Sequence, residues 1–285
     1  MTRAGGDLTK GYVLAGLFGT WDDIDTLLST LVGQQWQAPT PLPGWTVHDV
    51  VAHVIGTESV LLGVSVPEPD RDVLALPHVH NEVGARNEAW VRHLRPEPPE
   101  SMLERFRAVT GERRRVLQQM PDEDWTAQTR TPAGPDTYAR FMRIRTFDCW
   151  MHEQDIRDAV AVWASDEVLA TPGAALTLDE ITAALGYVVA KLGQAKPGSR
   201  VAFELTGPLQ RTLRVAVDES GRAQAVEDFD DVEDPSATTT IRLDGVLFTR
   251  LVGGRTTVAL NREAIEMSGD TEAGWRIADH LRFVI

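Results

Sequence analysis

A chain of 285 residues is long enough to bury one large core or two ordinary ones. Apolar residues make up 42% and charged residues 25%, the balance of a soluble globular protein, and no apolar run approaches the roughly 18 residues a bilayer-spanning helix needs. The formal net charge is −14, with acidic residues scattered rather than gathered into a tail, so neither nucleic acid nor an anionic membrane surface is an expected partner, because phosphate recognition draws on basic side chains. Met1–Asp7 lacks the basic-then-apolar layout of a signal peptide, and a cytoplasmic location is expected. Arginines outnumber lysines 25 to 3, a bias typical of GC-rich bacterial genomes. The single cysteine, Cys149, excludes an intrachain disulfide and leaves histidine and carboxylate as the ligands a metal site would use.

Residues 9–32 carry apolar side chains at helical spacing, from Tyr12 through Leu17 and Trp21 to Leu31. A loop with three prolines, Ala38–Trp45, leads to Thr46, which caps a helix over 47–63 with Asp49 in the partner position of a capping box. Residues 67–77 read as a connector, and helices are expected at 79–95 and 99–120, on either side of the Pro96-Glu97-Pro98-Pro99 break. After a loop over 126–137, a long helix runs from 137 to 163. Four main helices with short connections predict a bundle. A helix near 175–192 opens a different region, with alternating strands at 200–206, 211–217, 223–227 and 237–243, separated by Gly207-Pro208, Ser220-Gly221 and Asp234-Pro235. Helical stretches are expected at 244–253, 261–268 and 271–282. The fold class is α+β: a helical bundle over residues 1–168, then a small sheet with helices on one face over 169–285.

The long helix carries the chemistry. Asp148 and His152 are one turn apart and point the same way, and Asp155 and Arg145 join that face with Phe141, Ile144, Met151, Ala159 and Val162. Arg143, Glu153, Gln154, Arg157 and Asp158 lie away from it. Ionisable groups on a face that enters a core need compensation, and one divalent ion satisfies a carboxylate and an imidazole together. His53, at the margin of the apolar arc of helix 47–63, is the third candidate ligand, whereas His48 projects elsewhere. The same residues also fit a purely structural account, since an acid and a histidine at this spacing can form only a helix ion pair, and a histidine near a core can simply be hydrogen-bonded.

Two stretches, Pro41-Leu42-Pro43-Gly44-Trp45-Thr46-Val47-His48-Asp49-Val50-Val51-Ala52-His53 and Arg145-Thr146-Phe147-Asp148-Cys149-Trp150-Met151-His152-Glu153-Gln154-Asp155-Ile156-Arg157, resemble the mycothiol-dependent maleylpyruvate isomerase family of the DinB-like metalloenzyme superfamily. The resemblance covers residues 10–165, and the later region is similar to the family's sterol-carrier-like C-terminal domain, where Phe248–Arg255 and Ser268-Gly269-Asp270 fit its pattern. It implies a DinB-like four-helix bundle with a metal, usually zinc, held by His53, Asp148 and His152. Asp148 stands where the family commonly has glutamate; being one methylene shorter, it requires a closer approach of the helix or changes the affinity or identity of the ion.

The implied activity is that of a metal-dependent enzyme in which a low-molecular-weight thiol, mycothiol, is activated at an open metal position and attacks a small electrophile. Collapse of the adduct after rotation gives isomerisation; release gives S-transfer, the broader reading and the one favoured. Two other classes are carried beside it: a metal-dependent hydrolase active without thiol, and a non-catalytic ligand-binding or regulatory protein with a structural or vestigial site. Asp155 fits either a second layer that orients His152 or an ion pair with an arginine such as Arg145. Arg255, beside Gly253-Gly254, matches an arginine the family can use on substrate, and also fits an ordinary surface residue after a turn. Cys149 reads as a buried, inert thiol, Trp45, Trp150 and Trp163 as core or loop anchors, and Arg113-Arg114-Arg115 as a solvated face.

Overall fold

The computed structural model describes residues 8–70, 72–229 and 236–283, so the expected absence of a signal peptide at Met1–Asp7 and the turn at Asp234-Pro235 fall outside the described residues. The chain divides into two compact units, Leu8–Ala164 and Ser165 onward.

The first unit is built from helices α1 (Lys10–Thr30), α2 (Val47–Leu61), α3 (Glu82–Leu94), α4 (Pro99–Gln119), the short α5 (Asp122–Thr126) and α6 (Tyr138–Val160). Thr46 and Asp49 form the expected box: the Asp49 carboxylate accepts from Thr46 N at 3.0 Å and Thr46 Oγ1 accepts from Asp49 N at 3.4 Å. Gly56 lets α3 come close, since a Cβ there would lie 2.4 Å from the Trp90 ring. The expected loop at 126–137 contains a small antiparallel hairpin, β1 (Gln128–Thr131) and β2 (Gly134–Thr137), whose tight turn is closed by Thr131 Oγ1 donating to the Gly134 carbonyl.

Helix α6 departs most from its sequence pattern. It packs against α1, α2, α5 and the hairpin, so it is buried almost all round, and Arg143, Glu153 and Gln154, expected to face away from the core, are no more than 4% exposed. Val162, placed on the apolar stripe, is instead 39% exposed past the helix end. A helix buried over most of its circumference, with partial exposure at residues such as Arg140 and Asp148, has no broad polar face for amphipathic spacing to describe.

The second unit begins with α7 (Asp166–Leu169) and α8 (Pro172–Tyr187), which runs on through a wider π turn at Val188–Leu192. By length and composition Pro172–Leu192 is apolar enough to cross a membrane, but 67% of its most apolar window is buried inside the unit, as a core helix requires. Strands β3 (Arg200–Thr206), β4 (Arg211–Val217), β5 (Ala223–Val226), β6 (Thr239–Asp244) and β7 (Ile265–Gly269) form one sheet in the order β5-β4-β3-β6-β7, with only the β3–β6 pair parallel. Val201, Phe203 and Leu205 of β3 stand level with Val215 and Leu213 of β4 and with Ile241 and Leu243 of β6, forming the apolar face. Helices α8, α9 (Gly245–Val252) and α10 (Thr271–Ala278) cover it, with Phe203 against Phe248 of α9 at 5.7 Å between ring centres. The opposite face carries the cross-strand charges Glu204, Arg242 and Glu266.

The expected helix at 261–268 is a 3₁₀ turn, Ala259–Ala264, followed by edge strand β7. Pairing decides this: Ile265 and Met267 register with Leu243 and Ile241 of β6, and burial of Ile265 against the sheet outweighs local helix preference.

At the α1–α6 interface, burial pushes the Glu153 carboxyl up to about 7, although Arg157 Nε donates to it at 2.7 Å. A carboxyl raised in the folded state binds its proton more tightly there than in the unfolded chain, so this position loses stability as pH rises from the ordinary carboxylate range through about 7. Glu153→Gln is expected to raise the melting temperature at pH 8, by the equivalent of about 1–3 kcal/mol, and to be nearly neutral at pH 5, as read by thermal denaturation at the two pH values.

Candidate metal centre

His53 lies about two turns into α2, and its position follows from the cap at Thr46. Asp148 and His152 lie one turn apart on α6. The two helices bring the three side chains together: His53 Nε2 is 3.2 Å from Asp148 Oδ2, His152 Nε2 is 3.5 Å from Asp148 Oδ1, and the three candidate donor atoms all lie within 4.8 Å of one another. The imidazoles are 6% and 8% exposed against 29% for Asp148, so the cluster opens to solvent on the carboxylate side.

Two imidazoles and one carboxylate are the donor set of a zinc-class site with an open fourth position. The surroundings of His152 suit that use: Nδ1 faces Asp155 Oδ2 at 3.1 Å, so a neutral ring keeps its proton there and turns Nε2 toward Asp148 as the donor. His53 also turns Nε2 to the cluster, but its buried Nδ1 has no hydrogen-bond partner among the described residues. By kind, separation and orientation, the three residues fit a divalent ion.

Burial lowers the proton affinity of His53, and the Asp148 carboxylate only partly restores it. Burial acts on His152 in the same direction, but Asp148 and Asp155 together outweigh it and hold this imidazole above its usual value. Burial would raise Asp148, yet Arg145 and the two imidazoles keep it well below the ordinary carboxylate range. The carboxylate therefore stays ionised, and a proton on the imidazole pair resides on His152.

Trp45 forms one wall. Its ring lies 5.4 Å from that of His53 and 6.5 Å from that of His152, and its Nε1–H donates to Glu88 Oε2 at 3.0 Å. Buried Glu88 also accepts from His78 Nε2 at 3.2 Å and Arg92 Nε at 3.3 Å. Gly44 sits just before Trp45 at φ +80°, where a Cβ would press to 3.4 Å from the His78 ring. Trp45 is thus part of the site's lining as well as a loop anchor. Trp150 is a core residue, whereas Trp163 is 73% exposed and anchors nothing within its unit.

Beneath the cluster lies an ionic chain in which Arg145, expected from the sequence as a second layer behind the ligands, is joined by Glu58 and Arg113, which were not expected there. Arg145 donates from Nε and Nη2 to Glu58 Oε1 at 3.0 and 2.8 Å, and from Nη1 to Asp148 Oδ2. Arg113 Nε donates to Glu58 Oε2 at 2.9 Å and its Nη2 to the Tyr138 hydroxyl at 3.2 Å. Glu58 is fully buried and Arg113 1% exposed, so the arginine run is not wholly a solvated face. The signal was in the spacing: Arg113 follows Thr110 by three and precedes Leu117 by four on the buried stripe of α4, and Glu58 follows Val54 and Ile55 on that of α2. His48 is also buried, with its Nε2–H donating to the Glu97 carbonyl at 2.9 Å.

Arg255 belongs to the second unit. It follows Gly254, at φ +71°, and its Nη1 donates to the Gly253 carbonyl at 2.6 Å. Cys149 is fully buried, and burial pushes its thiol up to about 12, Arg145 notwithstanding. A thiol so poorly ionised is not a nucleophile at neutral pH. Native protein is expected to give no reaction with a disulfide reagent such as dithiobis-nitrobenzoate over an hour at pH 8, and one equivalent of thiol after unfolding in guanidinium.

Residues 17–157 match the mycothiol maleylpyruvate isomerase N-terminal domain, and residues 175–274 match the C-terminal domain of the same family. Among curated relatives, the uncharacterized proteins MT0041 and Rv0036c of two Mycobacterium tuberculosis strains are each 28% identical over 152 residues. That alignment takes in 53% of this chain and 58% of the relative, so the chain spans little more than half the length of the curated relatives it matches. A crystal structure of the mycothiol-dependent maleylpyruvate isomerase superposes with a TM-score of 0.58 at 16% identity, covering 94% of this chain and 96% of that one. A mutant of that enzyme gives a TM-score of 0.57 at 14% identity over the same shares. At such identities the likeness is one of fold. With both of its domain models matched in order along the chain, the protein belongs to the mycothiol maleylpyruvate isomerase family.

Proposed function

We propose that the protein is a metal-dependent enzyme that adds a low-molecular-weight thiol, mycothiol by family, to a small electrophile, either returning the thiol after isomerisation or releasing the adduct. The observation that carries this reading is the trio His53, Asp148 and His152, with donor atoms within 4.8 Å of one another and the carboxylate side open to solvent. A divalent ion held there, zinc by its donor set, supplies Lewis acidity that favours the thiolate form of an incoming thiol.

The chain's own residues divide the remaining work. Asp155 fixes the tautomer and rotation of His152 through Nδ1, so that Nε2 is the donor. Arg145 balances the charge of Asp148 from the protein side. Trp45 covers both imidazoles and keeps water from that flank. Cys149, held as a thiol, leaves the nucleophile to come from solution. In the isomerisation branch the thiolate adds to an activated double bond and forms a C–S bond. The former double bond turns as a single bond, the C–S bond breaks and the thiol is regenerated. In the transfer branch the adduct either takes up a proton or, on a halogenated ring, expels halide as the C–S bond forms, and then leaves. Arg255, with its fork of donors beside a glycine pair, is proposed as a carboxylate-binding residue of the second unit.

Metal analysis of protein purified without chelator is expected to give about one equivalent of divalent ion for wild type and none for His152→Ala, with turnover of maleylpyruvate or a chlorodinitrobenzene-type electrophile only when mycothiol is added. Wild type that stays empty after reconstitution, or turnover without thiol, would overturn the reading. Coordination must also displace the proton that His152 holds above its usual range. Calorimetry in buffers of differing ionisation enthalpy is therefore expected to show proton release on zinc binding at pH 6, fading by pH 9, with affinity rising over that interval.

A further inference from the structure

The Arg145 guanidinium is shared between two acids. Its Nε and Nη2 face Glu58 Oε1, and its Nη1 faces Asp148 Oδ2. A guanidinium is a rigid planar fork, so an acid gripping one edge sets the direction of the remaining donor. Glu58 is fully buried on α2, and Arg113 neutralises its second oxygen from α4, so this grip cannot be traded for water. Asp148 Oδ2 is thereby engaged by Arg145, although it also lies 3.2 Å from His53 Nε2, while Oδ1 lies on the His152 side at 3.5 Å from Nε2 with no arginine on it.

We propose that Glu58 is a positioning residue for the metal centre: acting through Arg145, it occupies one oxygen of Asp148 so that the carboxylate offers the ion only the other. A carboxylate confined to one oxygen suits a four-coordinate ion of the zinc class. It disfavours calcium-like ions, which take six to eight oxygens and commonly use both from one carboxylate. The shorter Asp148 is thus held in place from behind, by a residue with no contact to the ion. This inference rests on the metal reading above and adds to it a source of ion selectivity.

The test compares wild type, Glu58→Gln and Arg113→Met by two readouts, the zinc dissociation constant from competition with a chromophoric chelator and the visible spectrum of the cobalt-substituted protein. Arg113→Met breaks the same buried cluster but leaves the Glu58–Arg145–Asp148 contacts in place, so it controls for lost stability. Glu58→Gln is expected to weaken zinc binding by about tenfold or more and to shift the cobalt bands, while Arg113→Met lowers the melting temperature with zinc affinity held within about twofold. If Glu58→Gln does not fold, Arg145→Lys, which keeps the charge without the fork, is expected to give the same loss. Unchanged zinc affinity and cobalt spectrum in Glu58→Gln or Arg145→Lys, or an equal loss in Arg113→Met, would reduce Glu58 to a structural role and overturn the inference. A wild type that binds no ion overturns the metal reading instead.

Discussion

The first unit is organised around one carboxylate. Glu58 has no solvent contact, and each of its oxygens is taken by a different arginine, Arg113 from α4 and Arg145 from α6. Three helices are joined at this point, and none of the three charges is tolerable alone in a dry interior. Removing one partner from such a buried pair costs about 3–5 kcal/mol, because the charge left behind stays desolvated. The buried apolar residues of the unit, from Val13 and Trp21 on α1 to Met102 and Phe106 on α4, pack without such directional demands. The arginines accept very few helix rotations. The cluster therefore acts as a registry pin among α2, α4 and α6, and its Glu58–Arg145 arm alone reaches Asp148 on the face of α6.

This has consequences for the electrostatics of the candidate centre. Two similar imidazoles, five ångströms apart between ring centres, are driven in opposite directions by their surroundings. His152 has Asp155 behind it and Asp148 before it, so burial is outweighed; His53 has only Asp148, and its Nδ1 faces no acceptor among the described residues. The site is asymmetric for that reason, with one well-braced donor on α6 and one looser donor on α2. Its imidazole flank is bounded by Trp45, which the buried acid Glu88 fixes together with His78 and Arg92. Two buried glutamates, each serving several donors, thus hold the surroundings of the trio from opposite directions, one through a guanidinium and one through an indole.

Much of this was legible in the linear chain. The cap at Thr46 and Asp49, the one-turn spacing of Asp148 and His152, and the alternation of Val201, Phe203 and Leu205 are local patterns, each set by backbone geometry within a few residues. They were enough to indicate an α+β chain with a helical first part and to put Asp148 and His152 on one face, while His53 joined them as a candidate that the family resemblance supported. What lay beyond the sequence depends on distant partners. Residues 261–268 read as helix because local preference is all a sequence displays, but pairing with β6 made Ile265–Gly269 a strand. Glu153 and Gln154 read as solvent-facing because a central helix has polar side chains in its pattern and no broad solvent side in the fold. Arg113 read as one charge in a basic run because its counter-ion stands 55 positions earlier in the chain. The sequence by itself determined most of the helices, four of the sheet strands and a short set of candidate site residues. Only the tertiary structure decided how the charges pair and which nitrogen and oxygen atoms face the centre, because those choices are made by desolvation and contact between segments that are neighbours only after folding.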